Sequence, residues 1–247
     1  MKDKIYFASD FHLGTDGRDS TKDREIKIVK WLESIKADCK ELYLLGDIFD
    51  YWYEYREVIP KGYVKFVSTM SQMLEDGTKI YLFTGNHDMW MFDYFTQEMG
   101  IPIYKEPIER KILNHHFVLG HGDGLGPSDH GYKFIKKIFA NPFCQWLFKW
   151  IHPDIGIRLM RFFSHTSREW TDESEKELNP TKEWLISYCE SYPNPDIDYF
   201  IFGHRHLVID YKLQNRKGRY INLGDWLHYC SYAIYDGKEL RIEYFIN

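Results

Sequence analysis

Short apolar runs bounded by Gly, Asn or Asp alternate with amphipathic stretches through the first half of the chain. Residues 5–9 (IYFAS), 42–46 (LYLLG), 80–84 (IYLFT) and 117–120 (FVLG) read as buried strands, because such short runs, rich in aliphatic and aromatic residues, suit strands covered on both faces. Residues 22–36 and 62–75 repeat their apolar positions at helical spacing and read as helices lying over those strands. Strand patterns return at 199–203 (YFIFG), 220–224 (YINLG), 232–237 (YAIYDG) and 240–245 (LRIEYF), the last two joined by a turn at Asp236-Gly237. This alternation predicts an α/β protein built on a sheet covered by helices.

From about residue 128 to about residue 191 the strand pattern disappears. Asn141-Pro142 and His152-Pro153 each place a capping residue before a proline, which divides this stretch into short helices. Phe134, Phe139, Phe143, Trp146, Trp150, Phe162 and Phe163 make those helices apolar on several sides. The expectation is a single domain over residues 1–247 with a helical cap inserted at 128–191, and 247 residues suffice for it.

Charge and cysteine content narrow the setting. With 32 basic and 37 acidic residues the net charge is -5, so there is no bulk electrostatic reason to expect nucleic acid. Four scattered cysteines without a CxxC spacing read as thiols of a reducing cytosol. The opening MKDKIYFASD lacks the apolar core of a signal peptide, and no apolar run approaches the ~20 residues of a membrane-spanning helix. A cytoplasmic protein, at most resting on a membrane surface, is expected.

Candidate chemistry sits where strands end. Asp10 and His12 follow the first strand, Asp47 and Asp50 the second, Asn86, His87 and Asp88 the third, His121 and Asp123 the fourth, and His204 and His206 the fifth. In an open α/β sheet the C-terminal strand ends line the ligand crevice, so these residues should converge. Imidazoles, carboxylates and one amide oxygen suit Mn²⁺, Zn²⁺ or Fe²⁺. A carboxylate shared between two such ions would hold them ~3.5–4 Å apart, the spacing of two-metal phosphoryl hydrolysis. Each fragment alone is common by chance; five in order at five strand ends are not.

SDFHLG, LGDIFD, GNHD, GHGD and GHRH, spread over residues 9–206, resemble the full signature of the calcineurin-like metallophosphoesterases. That resemblance implies a two-sheet β-sandwich flanked by helices, four layers in all, in place of one covered sheet. It also implies one metal on Asp10, His12, Asp47 and His206 and a second on Asp47, Asn86, His121 and His204. His87 would act on the leaving group or a phosphoryl oxygen, while Asp50, Asp88 and Asp123 would orient ligand imidazoles and backbone without touching metal.

GDIFDYW, HGDGLGPSDHGY, the stretch ending at Asn179-Pro180, and NLGDW followed by SYAIYDG are similar to the UDP-2,3-diacylglucosamine pyrophosphohydrolases of lipid A synthesis. The likeness implies cleavage of a UDP-linked glycolipid to UMP and a diacylglucosamine 1-phosphate, with Mn²⁺, at the cytoplasmic face of the inner membrane. It places Asn86 and His204 near the scissile phosphate, Asp129 and Tyr132 near the substrate, and Arg161, Arg168 and Lys176 at the diphosphate or headgroup. Two departures stand out: members of that family read GNRD where this chain has GNHD, and this chain reads GHRH without a following Arg-Pro. Histidine can serve as a general acid and arginine cannot, so His87 implies either another proton donor for the same reaction or another substrate. The alternatives are a phosphodiesterase or phosphatase acting on a soluble nucleotide, a phosphodiester or a phosphoprotein, and a module without catalysis that has lost its metals; the complete ligand set opposes the last.

Overall fold

The computed structural model describes residues 2–126, 130–160, 179–180 and 183–246, without the side chains of His130, Tyr132 and Ile135. Its elements in chain order are β1 (Lys4–Ala8), α1 (Thr21–Ile35), β2 (Cys39–Leu45), α2 (Val64–Glu75), β3 (Lys79–Phe83), α3 (Tyr94–Met99), β4 (Ile103–Tyr104), β5 (Ile108–Ile112) and β6 (His115–Leu119). Then come α4 (His130–Ala140), α5 (Pro142–Lys149), α6 (Trp184–Glu190), β7 (Tyr199–Phe202), β8 (Val208–Lys212), β9 (Arg219–Leu223), β10 (Ser231–Tyr235) and β11 (Leu240–Tyr244). Residues 153–160 are also helical.

The strands form two mixed sheets, one ordered β11-β10-β1-β2-β3-β4 and the other β5-β6-β7-β9-β8. Period-two alternation explains why they face each other. In β1, Ile5 and Phe7 point between the sheets while Tyr6 and Ala8 point outward, and in β7 Tyr199 and Ile201 point inward while Phe200 and Phe202 point outward. Strands apolar on both faces need cover on both. The inner faces meet in a layer where Phe7 stacks on Tyr43 at 5.1 Å and on Phe117 at 5.9 Å. Outside the first sheet lie α1, which buries Ile28, Trp31, Leu32 and Ile35, and α2, which buries Phe66, Met70 and Met73. Outside the second lies α6, which buries Leu185, Ile186 and Cys189. The four-layer sandwich therefore replaces the single covered sheet suggested by the strand pattern alone.

Local chemistry sets the helix starts. Ser20 Oγ accepts from the Asp23 N–H at the head of α1, and Asn141 Oδ1 accepts from Phe143 and Cys144 N–H ahead of Pro142 in α5. These are the caps expected of such residues. At the second proline, His152 Nδ1 accepts from the Asp154 N–H and residues 153–160 turn helical.

The cap helices rest on the loops that follow β2 and β3. Tyr53 donates from its hydroxyl to the Gln145 carbonyl at 2.8 Å, and Trp90 Nε1 donates to the Phe139 carbonyl at 2.8 Å. Phe139 and Phe148 pack against Trp90, with ring centroids 5.4 and 4.8 Å away. These two loops are themselves joined by the buried Glu54 carboxylate, which accepts from the consecutive N–H groups of Phe92, Asp93 and Tyr94 and from Trp52 Nε1. Strands β4, β5 and β8 were not expected from the sequence pattern, and all three lie at sheet edges.

Candidate metal centre

Strands β1, β2, β3, β6 and β7 end on the same side of the sandwich, and their following loops bring the expected residues together. Two clusters result. Asp10, His12 and His206 form one, and Asp47, His121 and His204 form the other.

In the first, His12 Nε2 and His206 Nε2 stand 3.2 Å apart, with Asp10 Oδ1 at 3.8 and 3.4 Å from them. In the second, His121 Nε2 lies 3.1 Å from Asp47 Oδ2 and 3.2 Å from Asn86 Oδ1, and His204 Nδ1 lies 2.9 Å from the same amide oxygen. Asp47 Oδ2 also stands 3.9 Å from His12 Nε2, so one carboxylate reaches both clusters. Donor atoms around a divalent ion with bonds of ~2.1 Å lie ~3.0–3.4 Å apart. Most of these spacings fall in or near that range, and the nitrogen and oxygen donors suit Mn²⁺, Zn²⁺ or Fe²⁺. The residues present fit two divalent cations.

The orientation of the rings fits as well. His121 Nδ1 is 2.8 Å from the Leu45 carbonyl and donates to it, which turns Nε2 toward Asp47 and Asn86. His206 Nδ1 is 3.1 Å from the Asp225 carboxylate, and His12 Nδ1 is 3.4 Å from Asp50 Oδ1. The contacts of His121 and His206 fix the tautomer of a ligating imidazole. Asp88 supports the backbone, as its carboxylate accepts N–H groups from Gly85, Asp47, Ile48 and Phe49. Asp123, two residues after His121, is buried and pairs with Lys136 at 2.7 Å.

Backbone strain concentrates here. Asp10, His12, Asp47, His204 and His206 have φ of 56°, 46°, 52°, 70° and 50°. They are five of the eight non-glycine residues with positive φ among the described residues, and each such conformation costs ~1–2 kcal/mol. Strain of this kind persists where the surroundings impose it, and it marks functional sites. Two glycines allow the approach: a Cβ on Gly85 would collide with the Asp47 carboxylate, and one on Gly203 with the Asp10 carboxylate.

Electrostatics point the same way. Burial opposes charge on Asp47, yet His121, His87 and His12 hold its carboxyl well below the usual range. Burial likewise opposes charge on His12 and His121, yet Asp10 and Asp50 raise the first to about 10 and Asp47 raises the second to about 10. The same buried carboxylates that raise these two imidazoles would stabilise a divalent cation placed between them. Asp88 is raised to about 7 by burial and by the neighbouring Asp47. His204 is lowered to about 4 by burial and by His121.

His87 joins His12 and Asp47 in a third grouping. Its N–H donates to Asp47 Oδ1 at 2.8 Å, its ring stands 4.9 Å from that of His12, and its Nδ1 is 3.3 Å from the Asp50 carbonyl. Asp129, Arg161, Arg168 and Lys176, with the side chain of Tyr132, lie outside the described residues.

Two residues at the site were missed in the sequence. Asp225 is fully buried and accepts from His206 and His228 and from the N–H groups of His228 and Tyr229; the Gly-Asp at the end of β9 was its signal. Arg24, also buried, donates to the carbonyls of Phe11, His12 and Thr15 and so holds the loop carrying His12. Its signal was a charge on the apolar face of α1, one turn before Ile28.

A model of the calcineurin-like phosphoesterase family matches residues 3–208. A UDP-2,3-diacylglucosamine hydrolase of Porphyromonas gingivalis is 36% identical over 98% of this chain and 98% of its own. One of Aeromonas salmonicida is 25% identical over 96% and 91%. Among solved structures, an archaeal phosphodiesterase aligns with a TM-score of 0.50 at 14% identity over 98% of this chain and 99% of its own. A dimetal phosphatase from Danio rerio gives 0.50 at 13% over 98% and 96%; both likenesses concern the fold.

The Asp225 carboxyl is pushed up by burial, but His206 and His228 outweigh this and hold it below the usual range. A depressed folded pKa adds stability that is present above the unfolded value near 4 and lost as pH falls through the folded value. Asp225→Asn should therefore cost about 1–2 kcal/mol at pH 7 in metal-free protein, a gap that narrows below about pH 4. Urea denaturation across that range checks it, and a gap independent of pH would contradict it.

Proposed function

The chain belongs to the calcineurin-like phosphoesterase family, and from that premise we propose that it hydrolyses the pyrophosphate of UDP-2,3-diacylglucosamine. The products are UMP and 2,3-diacylglucosamine 1-phosphate, and the two cations are Mn²⁺. Asp10, His12, Asp47 and His206 hold one ion, and Asp47, Asn86, His121 and His204 the other. When bound, the ions supply an activated water and offset the charge that builds on the phosphoryl oxygens. Asn86 and His204 face the scissile phosphate, and His87 stands beside Asp47 to donate a proton to the leaving group or a phosphoryl oxygen. Asp129, Tyr132, Arg161, Arg168 and Lys176 are assigned to the substrate, and residues 128–191 act as the cap of a single domain.

The observation that carries the lipid part of this reading is an apolar face left open on the cap. Phe139 and Phe148 pack inward, but Phe134, Phe143, Trp146, Leu147 and Trp150 are exposed, Trp150 to 76%. Phe143 stacks on Trp146 at 5.9 Å and Trp146 meets Trp150 edge-on at 6.1 Å, so they make one patch. No acidic residue falls between Asp129 and Asp154, while Lys133, Lys136, Lys137 and Lys149 do. Aromatic residues beside lysines suit acyl chains at an anionic lipid surface. Among the described residues no helix is long and apolar enough to cross a membrane, so the proposed association is peripheral, on the cytoplasmic face.

Purified protein incubated with Mn²⁺ and UDP-2,3-diacylglucosamine should release UMP. Activity on a generic phosphodiester with no UMP from the glycolipid would move the assignment to a soluble nucleotide or phosphodiester. Replacing Trp146 and Trp150 together by Ser should leave the denaturation midpoint nearly unchanged and raise KM for the long-chain substrate roughly tenfold, about 1.4 kcal/mol, with a smaller effect on a short-chain analogue. Equal effects on both substrates would show that the patch does not meet acyl chains.

A further inference from the structure

Arg205 stands between His204 and His206, and its partner comes from outside the metal centre. Its Nε donates to Glu183 Oε2 at 2.9 Å, with the two side chains only 9% and 1% exposed. Glu183 is also the residue that starts α6, where its Oε1 accepts from the Leu185 N–H. This helix, the last part of the stretch assigned to the cap, packs on the outer face of the second sheet. Trp184, the next residue, meets the His204 ring edge-on at 5.8 Å and packs so closely on Gly126 that a Cβ there would lie 3.0 Å from it.

The outgoing root of the cap is held in a matching way. Lys136 of α4 pairs with Asp123 at 2.7 Å, two residues beyond His121, and Lys133 donates to the Gly126 carbonyl. Both roots thus attach to the loops carrying His121 and His204, whose rings share the Asn86 amide oxygen. Burial opposes both charges of the inner pair. Because desolvation offsets much of the attraction, a buried ion pair contributes little net stability compared with apolar residues of the same shape. What it does provide is geometry, since the planar guanidinium fixes direction as well as distance.

We propose that Arg205 and Glu183 are positioning residues whose ion pair fixes the loop bearing His204 and His206 to the returning root of the cap, keeping cap and metal centre in one register. The inference rests on the metal assignment above. It also accounts for the arginine inside GHRH, which the metal assignment leaves without a role.

Arg205→Met, Arg205→Lys, Glu183→Gln and the Arg205→Met/Glu183→Gln double variant would be titrated with Mn²⁺ against a chelating dye, beside wild type. Melting of the metal-free proteins would be followed in parallel. The weaker Mn²⁺ site should lose affinity about tenfold or more in the Met and Gln variants. Arg205→Lys should fall between, and the double variant should be no weaker than the worse single one, as expected for coupled residues. kcat/KM should drop further for the acylated substrate than for bis(p-nitrophenyl) phosphate, because only the former engages the cap. Wild-type Mn²⁺ affinity in every variant, with only lower melting temperatures, would overturn the inference, as would equal losses on both substrates. If Arg205→Met does not fold, the Lys and Gln variants decide. Wild-type protein that takes up no Mn²⁺ would instead overturn the metal assignment itself, and this inference with it.

Discussion

The structure depends most on the placement of the Asp47 carboxylate. One of its oxygens stands 3.1 Å from His121 and 3.9 Å from His12, and the other accepts the His87 N–H. A single buried anion therefore joins both imidazole clusters and the loop after β3. Bringing it there needs a left-handed residue at Asp47, a glycine at position 85, and the carboxylate of Asp88 beneath, receiving four backbone N–H groups. Each feature is unfavourable or useless alone. Together they put negative charge where burial resists it, which is the condition for attracting cations.

The strands that carry this site were legible because each is buried on both faces and ends at a glycine, serine or threonine followed by polar residues. β1, β2, β3, β6 and β7 satisfy that pattern, and so the residues from Asp10 to His206 can be gathered from the sequence. The edge strands were not legible. β5 reads IERKI and β8 reads VIDYK, where charges facing solvent break the apolar run, as edge strands require. The split into two sheets was also hidden from the strand pattern, because a strand apolar on both faces does not say whether helix or sheet covers each one; the family resemblance supplied it.

Side chains acting at a distance in sequence were the least visible. Arg24 holds the His12 loop from a helix, Asp225 orients His206 from the turn after β9, and Glu183 meets Arg205 from the root of the cap. None carries a local motif that predicts its partner. Their roles come from tertiary placement, and only the off-pattern charge at Arg24 and the Gly-Asp at the end of β9 hinted at them. The cap divides similarly: composition marked it as apolar, while the contacts of Phe139 and Phe148 and the exposure of Trp146 and Trp150 separate the side that packs from the side that faces outward.

The strained, carboxylate-rich cluster is proposed to hold two divalent cations with Asp47 between them. Anomalous diffraction from crystals soaked in Mn²⁺ tests it most directly. Two peaks ~3.5–4 Å apart are expected, one beside Asp10, His12 and His206, the other beside Asn86, His121 and His204, with the Asp47 carboxylate touching both. A single peak, or two peaks without Asp47 between them, would contradict it.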